Sequence, residues 1–387
     1  MMKALIYDWS EKSSYLTRTD IMDSFRELGI EFDTFVFDFQ EKGIDELLFY
    51  FKRMDISQYA FCFSVNYFPE ISEVCMRYNL KYISWGYDCP FNVKNIEDTL
   101  GNSCNYVFCF DRNQAIGYAK KGFDTVYHLP LGVRVSRYKQ YKPLKTQLES
   151  FRGDISFVGS LYEGQFPAIR EICDDFHKGY LDAIVNAQLQ LYGAYILNDV
   201  ISENFVEEVN QHFSQLQQDT SFCLSKEQLV HLIDQEVSRQ ERILLLSLLS
   251  KRFDTHLYTY HNYKLLKEVH CHGPVDYLQE MPYVFAASKI NLNISVKGIQ
   301  TGIPQRAFDI MASGGFLLSN YQQELVEYFP PEEIAVYESM EDAVEKCRFY
   351  LKNDDIREKM AISARERVFT EHDMVGKIAA MITTAKI

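Results

Sequence analysis

Short apolar runs alternate with helical patterns along this chain, and the series runs through twice. Residues 3–7, 31–37, 59–64, 81–85, 106–110 and 125–129 read as strands in the first pass. Residues 154–158, 255–260, 269–273, 289–294 and 315–319 read as strands in the second. Most intervals carry helical patterns, and the clearest opens at Asp20 and stops before Gly29, a C-cap residue. Strands alternating with helices demand parallel sheets covered on both faces, so the pattern dictates an α/β protein with Rossmann-like sheets. At about 100–200 residues per domain, a chain of 387 residues suits two. The first half closes near Pro130-Leu131-Gly132 and the basic stretch 134–145. The expected domains are therefore 1–150 and 151–387, leaving room for the last helix to pack back on the N-terminal domain. Residues 198–251 break the alternation as a helical insertion, whose apolar stripe at 243–249 reads as core packing.

Charge and length exclude several functions. Forty Lys and Arg against 54 Asp and Glu leave a net charge of −14, which argues against a nucleic-acid binder, because phosphate backbones select cationic surfaces. No run of about 18–20 apolar residues is available for a membrane span. The opening Met1-Met2-Lys3-Ala4-Leu5-Ile6-Tyr7-Asp8 meets an acid too early for a signal-peptide core, so a cytoplasmic location is expected. Nine cysteines scattered without CxxC spacing read as reduced buried thiols. His270 and His272 would point the same way on a strand, yet they lack partners at ligand spacing, so no metal is expected. The aromatic count, 28 Phe and 26 Tyr, is assigned mostly to the core.

Open α/β sheets bind ligands beyond the carboxyl ends of their strands, so chemistry belongs in the loops that follow them. The richest is 294–306, which carries Lys297, Gly298, Thr301, Gly302, Ile303 and Arg306 and leads into a helix. Glycines admit an anion to backbone N–H groups, the helix N-terminus adds positive charge, and Lys297 and Arg306 would supply fixed cations for a diphosphate. Asp309, one turn on, could accept from sugar or ribose hydroxyls. The alternative is a glycine-rich turn with solvated Lys and Arg. Neither GxGxxG nor GxxxxGK[ST] occurs. On the N-terminal side, Asp88 follows the 81–85 strand and could act as general base or orient an acceptor hydroxyl, or simply cap the turn before Pro90. Trp9 and Ser10 lie in the loop after the first strand. Gly159 and Ser160, Tyr258, Gly273 and Val275 follow later strands and join the donor-side candidates.

The run Arg306-Ala-Phe-Asp-Ile-Met-Ala-Ser-Gly-Gly-Phe-Leu-Leu-Ser-Asn320, with Glu324-Leu-Val-Glu-Tyr-Phe329 after it, resembles the C-terminal signature of group 1 glycosyltransferases, closest to the CgeB-like spore-maturation branch. Asp154-Ile-Ser-Phe-Val-Gly-Ser160, Trp85-Gly-Tyr-Asp-Cys-Pro90 and Val107-Phe-Cys-Phe-Asp-Arg112 extend the resemblance over most of the chain. It implies a GT-B fold, two Rossmann-like domains facing a cleft, with a nucleotide-diphosphate sugar, a UDP-sugar favoured, held by the C-terminal one. It further implies metal-independent transfer to a glycan, protein or small-molecule acceptor, with retention of configuration favoured and no cofactor beyond the sugar nucleotide. Asp309 matches the second acid of the family's E-x7-E motif, while Thr301 replaces the first and Ser160 replaces a frequent basic residue. These departures shift weight to Lys297 and Arg306. Two rivals share the layout: a non-hydrolysing nucleotide-sugar epimerase and a catalytically silent nucleotide-sugar-binding protein.

Overall fold

Among the described residues, twelve strands form two parallel six-stranded sheets. The computed structural model describes residues 2–8, 18–39, 41–142, 144–217, 223–261 and 265–387, so Trp9 and Ser10 lie outside the described residues. Two compact units result: one comprises Met1–Lys142, Thr301–Ala312 and Arg365–Ile387, the other Pro143–Gln300 and Ser313–Ala364.

In the first unit the strands are β1 (Lys3–Tyr7), β2 (Glu31–Phe35), β3 (Phe61–Val65), β4 (Lys81–Trp85), β5 (Asn105–Cys109) and β6 (Val126–His128). Their order is β2-β1-β3-β4-β5-β6. Interior strands are buried along almost their whole length, as runs of the type Phe61-Cys-Phe-Ser-Val65 require when helices cover both faces. Much of the aromatic excess goes here. The Tyr7 ring lies 5.2 Å from Phe35, 5.4 Å from Phe39 and 4.8 Å from Phe68, edge and tilted contacts that add to the burial of each ring.

The C-terminal segment closes this unit. Helix Met374–Thr384 packs on helix Arg18–Glu27, and Lys81 Nζ donates to the Ala385 and Lys386 carbonyls at 2.7 and 2.9 Å. Val133 donates to the His372 carbonyl (3.0 Å) and accepts from Met374 N–H (2.8 Å). Gly132 is required there, because a Cβ would stand 2.3 Å from the His372 oxygen. The His372 ring is buried with the chain around it. Burial, joined by Lys377 and Arg367, pushes its imidazole down to about 3. The folded protein therefore keeps it neutral, whereas the unfolded chain takes up a proton below about pH 6.5. Stability is full above that pH and falls as pH drops toward 3, by about 1.4 kcal/mol per unit. Between pH 7 and pH 5, His372→Gln should lose about 2 kcal/mol less than wild type in denaturant unfolding; equal losses would contradict this assignment.

The second unit holds β7 (Gly153–Val158), β8 (Thr255–Tyr258), β9 (His270–His272), β10 (Ser288–Asn293), β11 (Leu317–Asn320) and β12 (Ala335–Tyr337), in the order β12-β11-β10-β7-β8-β9. The last strand, of three residues, is absent from the sequence reading. The helical insertion also differs from expectation. Between β7 and β8 it begins at Phe166 rather than near 198, with helices Phe166–Ile172, Asp175–Gln190, Leu197–Val200, Glu203–Gln217 and Lys226–Ser250. The physical reason is a shared apolar cluster: Phe166, Leu181 and Val185 pack with Val206, Leu229, Ile233 and Val237. The helices before 198 are thus part of the same module. Further along the last helix, Leu245, Leu246 and Leu249 join the sheet core instead. Among the described residues no helix is long and apolar enough to cross a membrane.

Candidate functional site

In the second unit β7 lies between β10 and β8, so the strand order reverses at the β7–β10 pair. That is the doubly wound arrangement, and its ligand crevice opens beyond the carboxyl ends of the two strands at the reversal. Gly159 and Ser160 follow β7 there, and 294–298 follows β10. Both loops were singled out from sequence, and the topology makes them neighbours.

A side chain absent from the sequence reading ties the two loops together. Arg242, on helix Lys226–Ser250, is 1% exposed. One guanidinium nitrogen donates to the Ser160 carbonyl (2.6 Å), another to the Ile294 carbonyl (2.6 Å), with Nε at 3.3 Å from the latter. Its Cζ lies 4.6 Å from the Tyr162 ring centre. The preceding residue, Glu241, is fully buried and faces Lys297, with 3.2 Å between carboxylate and ammonium. Lys297 Nζ also donates to the Leu191 carbonyl at 3.2 Å and lies 3.8 Å from the Tyr192 ring centre. The cation expected to face a diphosphate is thus a buried one, neither solvated nor free of a partner, and is held by an acid that the spacing of the loop could not reveal. Lys297 pairs with the carboxylate, while the Arg242 guanidinium is held by the two loop carbonyls. Glu241 Oε2 and the Tyr192 and Tyr337 hydroxyls are buried without a hydrogen-bond partner among the described residues. Burial and then Glu241 raise both tyrosines well above their usual range, so they remain neutral donors.

The other donor-side candidates of this unit divide. Gly298 is buried beside Lys297, Gly273 is exposed and Val275 half-buried. Tyr258 ends β8, and its ring stacks on His272 at 4.5 Å and 13°. It is 4% exposed, and burial followed by Asp254 raises its hydroxyl to about 12. One ring face is therefore already covered by imidazole.

Thr301, Gly302, Ile303, Arg306 and Asp309 belong to the first unit. The amides expected to cradle a phosphate hold a carboxylate instead: Thr301 N–H and Gly302 N–H donate to Asp111 Oδ2 at 2.7 and 3.0 Å. Asp111 is buried and also caps helix Arg112–Lys120 through Gln114 N–H at 2.9 Å. An anion does occupy the glycine turn, but it is the protein's own. Asp309 is likewise engaged, accepting from Tyr138 Oη and Gln305 Nε2 at 3.0 Å each. Ile303 is buried and Arg306 half-buried in the first helical turn. A Cβ at Gly302 would stand 2.8–2.9 Å from Phe110 and Asp111, so Gly302→Ala should lower the thermal midpoint by several degrees and Gly302→Ser at least as much. Unchanged midpoints would show that the turn yields.

The first sheet reverses at β1–β3. Ile6, Tyr7, Asp8, Arg18, Ile21, Met22, Phe63 and Val65 line a pocket there, with an ion pair between Arg18 and Asp8. Asp88 lies past β4 and is exposed. Its carboxylate accepts from Asn66 Nδ2 at 2.6 Å, while Asn66 Oδ1 accepts from Tyr87 and Asp88 N–H. Asn66 follows β3, so Asp88 sits where a carboxyl-end acid was expected.

Residues 239–383 match the family described as glycosyl transferase-like; the match begins just before Glu241 and Arg242 and includes Lys297 and Arg306. No curated protein matches the chain by sequence. Solved structures resemble it over their whole length. Sucrose-phosphate synthase from Thermosynechococcus elongatus aligns with a TM-score of 0.60 at 9% identity over 100% of this chain and 98% of that one. Anabaena HepE in complex with UDP-glucose gives 0.56 at 9%, covering 100% of both chains. T4 phage BGT in complex with its UDP-glucose substrate gives 0.53 at 11%, covering 100% of this chain and 99% of that one. The chain has the GT-B fold.

Proposed function

We propose that this protein is a glycosyltransferase that moves a sugar from a nucleotide-diphosphate sugar, with a UDP-sugar the favoured donor, to a glycan, protein or small-molecule acceptor. The observation that carries the reading is the Glu241–Arg242–Lys297 cluster, which sits inside the glycosyl transferase-like match and at the strand reversal of a GT-B sheet. A leaving diphosphate develops charge as the glycosidic bond breaks. Fixed cations in a dry site stabilise that charge without reorganising, so no metal is needed for the step. In this reading Lys297 faces the diphosphate and Arg242 fixes the two loops that receive it, while Arg306 is a second cation candidate drawn from the sequence alone. The unmet hydrogen bonds of Glu241, Tyr192 and Tyr337 would be completed by ligand hydroxyls or water. Gly159, Ser160, Gly298, Gly273, Val275 and Tyr258 form the donor-side wall, and Asp88 serves the acceptor hydroxyl as base or orienting group. Retention of configuration and a place in the bacterial CgeB-like branch are what the sequence resemblance implies, and a cytoplasmic location is part of the same reading.

Thermal-shift screening against UDP, GDP and dTDP sugars tests the donor class, because a ligand that binds the folded state raises the midpoint by mass action. A rise with UDP-sugars, followed by slow sugar release to water or acceptor, is expected. Binding to none would refute the proposal. Conversion of donor alone to an epimer, followed by NMR, would favour the epimerase; donor bound but never consumed would favour a silent binder.

A further inference from the structure

We propose that the helical module carries a structural zinc site made by Asp174, His177 and His212, with Glu208 supporting the His177 ring from behind. These residues come from two helices as two short-spaced pairs. Asp174 caps helix Asp175–Gln190, three residues before His177; Glu208 and His212 stand four apart on helix Glu203–Gln217. Such spacings put both members of a pair on one helix face, one turn apart. The four side chains meet where the helices pack. His177 Nδ1 lies 2.7 Å from Asp174 Oδ1, His177 Nε2 lies 3.0 Å from Glu208 Oε2, and His212 Nε2 lies 3.5 Å from Asp174 Oδ2. The two imidazole rings cross edge to face with centres 4.9 Å apart. Ligand atoms of Asp174, His177 and His212 all fall within 4.8 Å of one another, and among the described residues no other group of three His, Cys, Asp or Glu side chains meets that condition.

Position and chemistry both favour a metal over an ordinary ion-pair network. Asp174 Oδ1 accepts from His177 N–H at 2.9 Å, which fixes one carboxylate. Phe205 and Phe176 hold the His177 ring, each with centres 5.3 Å away. The donors are thus pre-oriented, and little ordering remains to be done on binding. Two imidazoles with one or two carboxylates are the ligand set of zinc and its neighbours in the first transition row, whereas calcium and magnesium select oxygen. With Nε2–H of His177 donating to Glu208, Nδ1 is left to the ion beside Asp174 and His212, and a carboxylate behind a ligating imidazole is the usual outer support of such sites. The ion would cross-link Asp174 to His212 within a module that closes on its own apolar cluster. It has no part in sugar transfer, so the proposal stands apart from that reading.

Zinc binding to the full, chelator-treated chain decides the matter, read by competition with a chromogenic chelator and by metal analysis after desalting. One zinc per chain is expected for wild type. His212→Gln and Glu208→Gln, both at partly exposed positions, should each weaken retention at least tenfold while circular dichroism stays native. His256→Gln/His270→Gln, which alters the other imidazole group of this unit, should retain one zinc. Less than a tenth of an equivalent bound by wild type, undiminished binding in both single variants, or loss in the His256/His270 variant would each overturn the site.

Discussion

Arg242→Ala should reduce sugar transfer by about two to three orders of magnitude, the range seen when one preorganised electrostatic element is removed. The same change should lower stability by about 3 kcal/mol or more, as for breaking a buried charged network. The guanidinium is 1% exposed and satisfies the Ser160 and Ile294 carbonyls. Its removal orphans both acceptors at the β7–β10 reversal. Arg242→Lys keeps the charge but not the fork that reaches both loops, so it should recover part of the stability and little of the turnover. Steady-state kcat/KM and denaturant unfolding on the same preparations read both effects. Turnover at the wild-type level in Arg242→Ala would remove the cluster from the reaction.

Lys297→Ala provides the second large effect, and a paired variant separates its two causes. Glu241 is fully buried, and Lys297 is its ion-pair partner. Removing the ammonium leaves an uncompensated interior charge, at a cost of about 3–5 kcal/mol. Glu241→Gln/Lys297→Ala eliminates that charge, so most of the lost stability should return. Turnover should not return, because the cation offered to the leaving diphosphate is still missing. Recovery of activity together with stability would make Lys297 a packing residue only.

Most strands of the two sheets were legible as apolar runs, the interior ones because they are buried on both faces. The runs at 3–7 and 81–85 coincide with β1 and β4. The Gly159–Ser160 and 294–298 loops were likewise found from their places after strands. The acid and base between them were not. Glu241 and Arg242 sit on the buried stripe of helix Lys226–Ser250, which also includes Val230, Ile233, Val237, Leu245 and Leu249. Charged side chains at such positions are costly unless paired. That cost was the available signal, and it was masked by reading the stripe as core alone. The Asp111 grip on Thr301 and Gly302 was beyond sequence reach, since 190 positions separate the partners and a glycine turn attracts any anion. The His177 and His212 pairing was hidden for the same reason, each half being an unremarkable helical pair.

The position of UDP in a crystal of the full chain tests the central claim most directly. Prediction places its diphosphate beyond the carboxyl ends of β7 and β10, within hydrogen-bonding reach of Lys297 and the Gly159–Ser160 turn. UDP bound elsewhere, or no UDP at millimolar concentration in crystals of an active preparation, would contradict it.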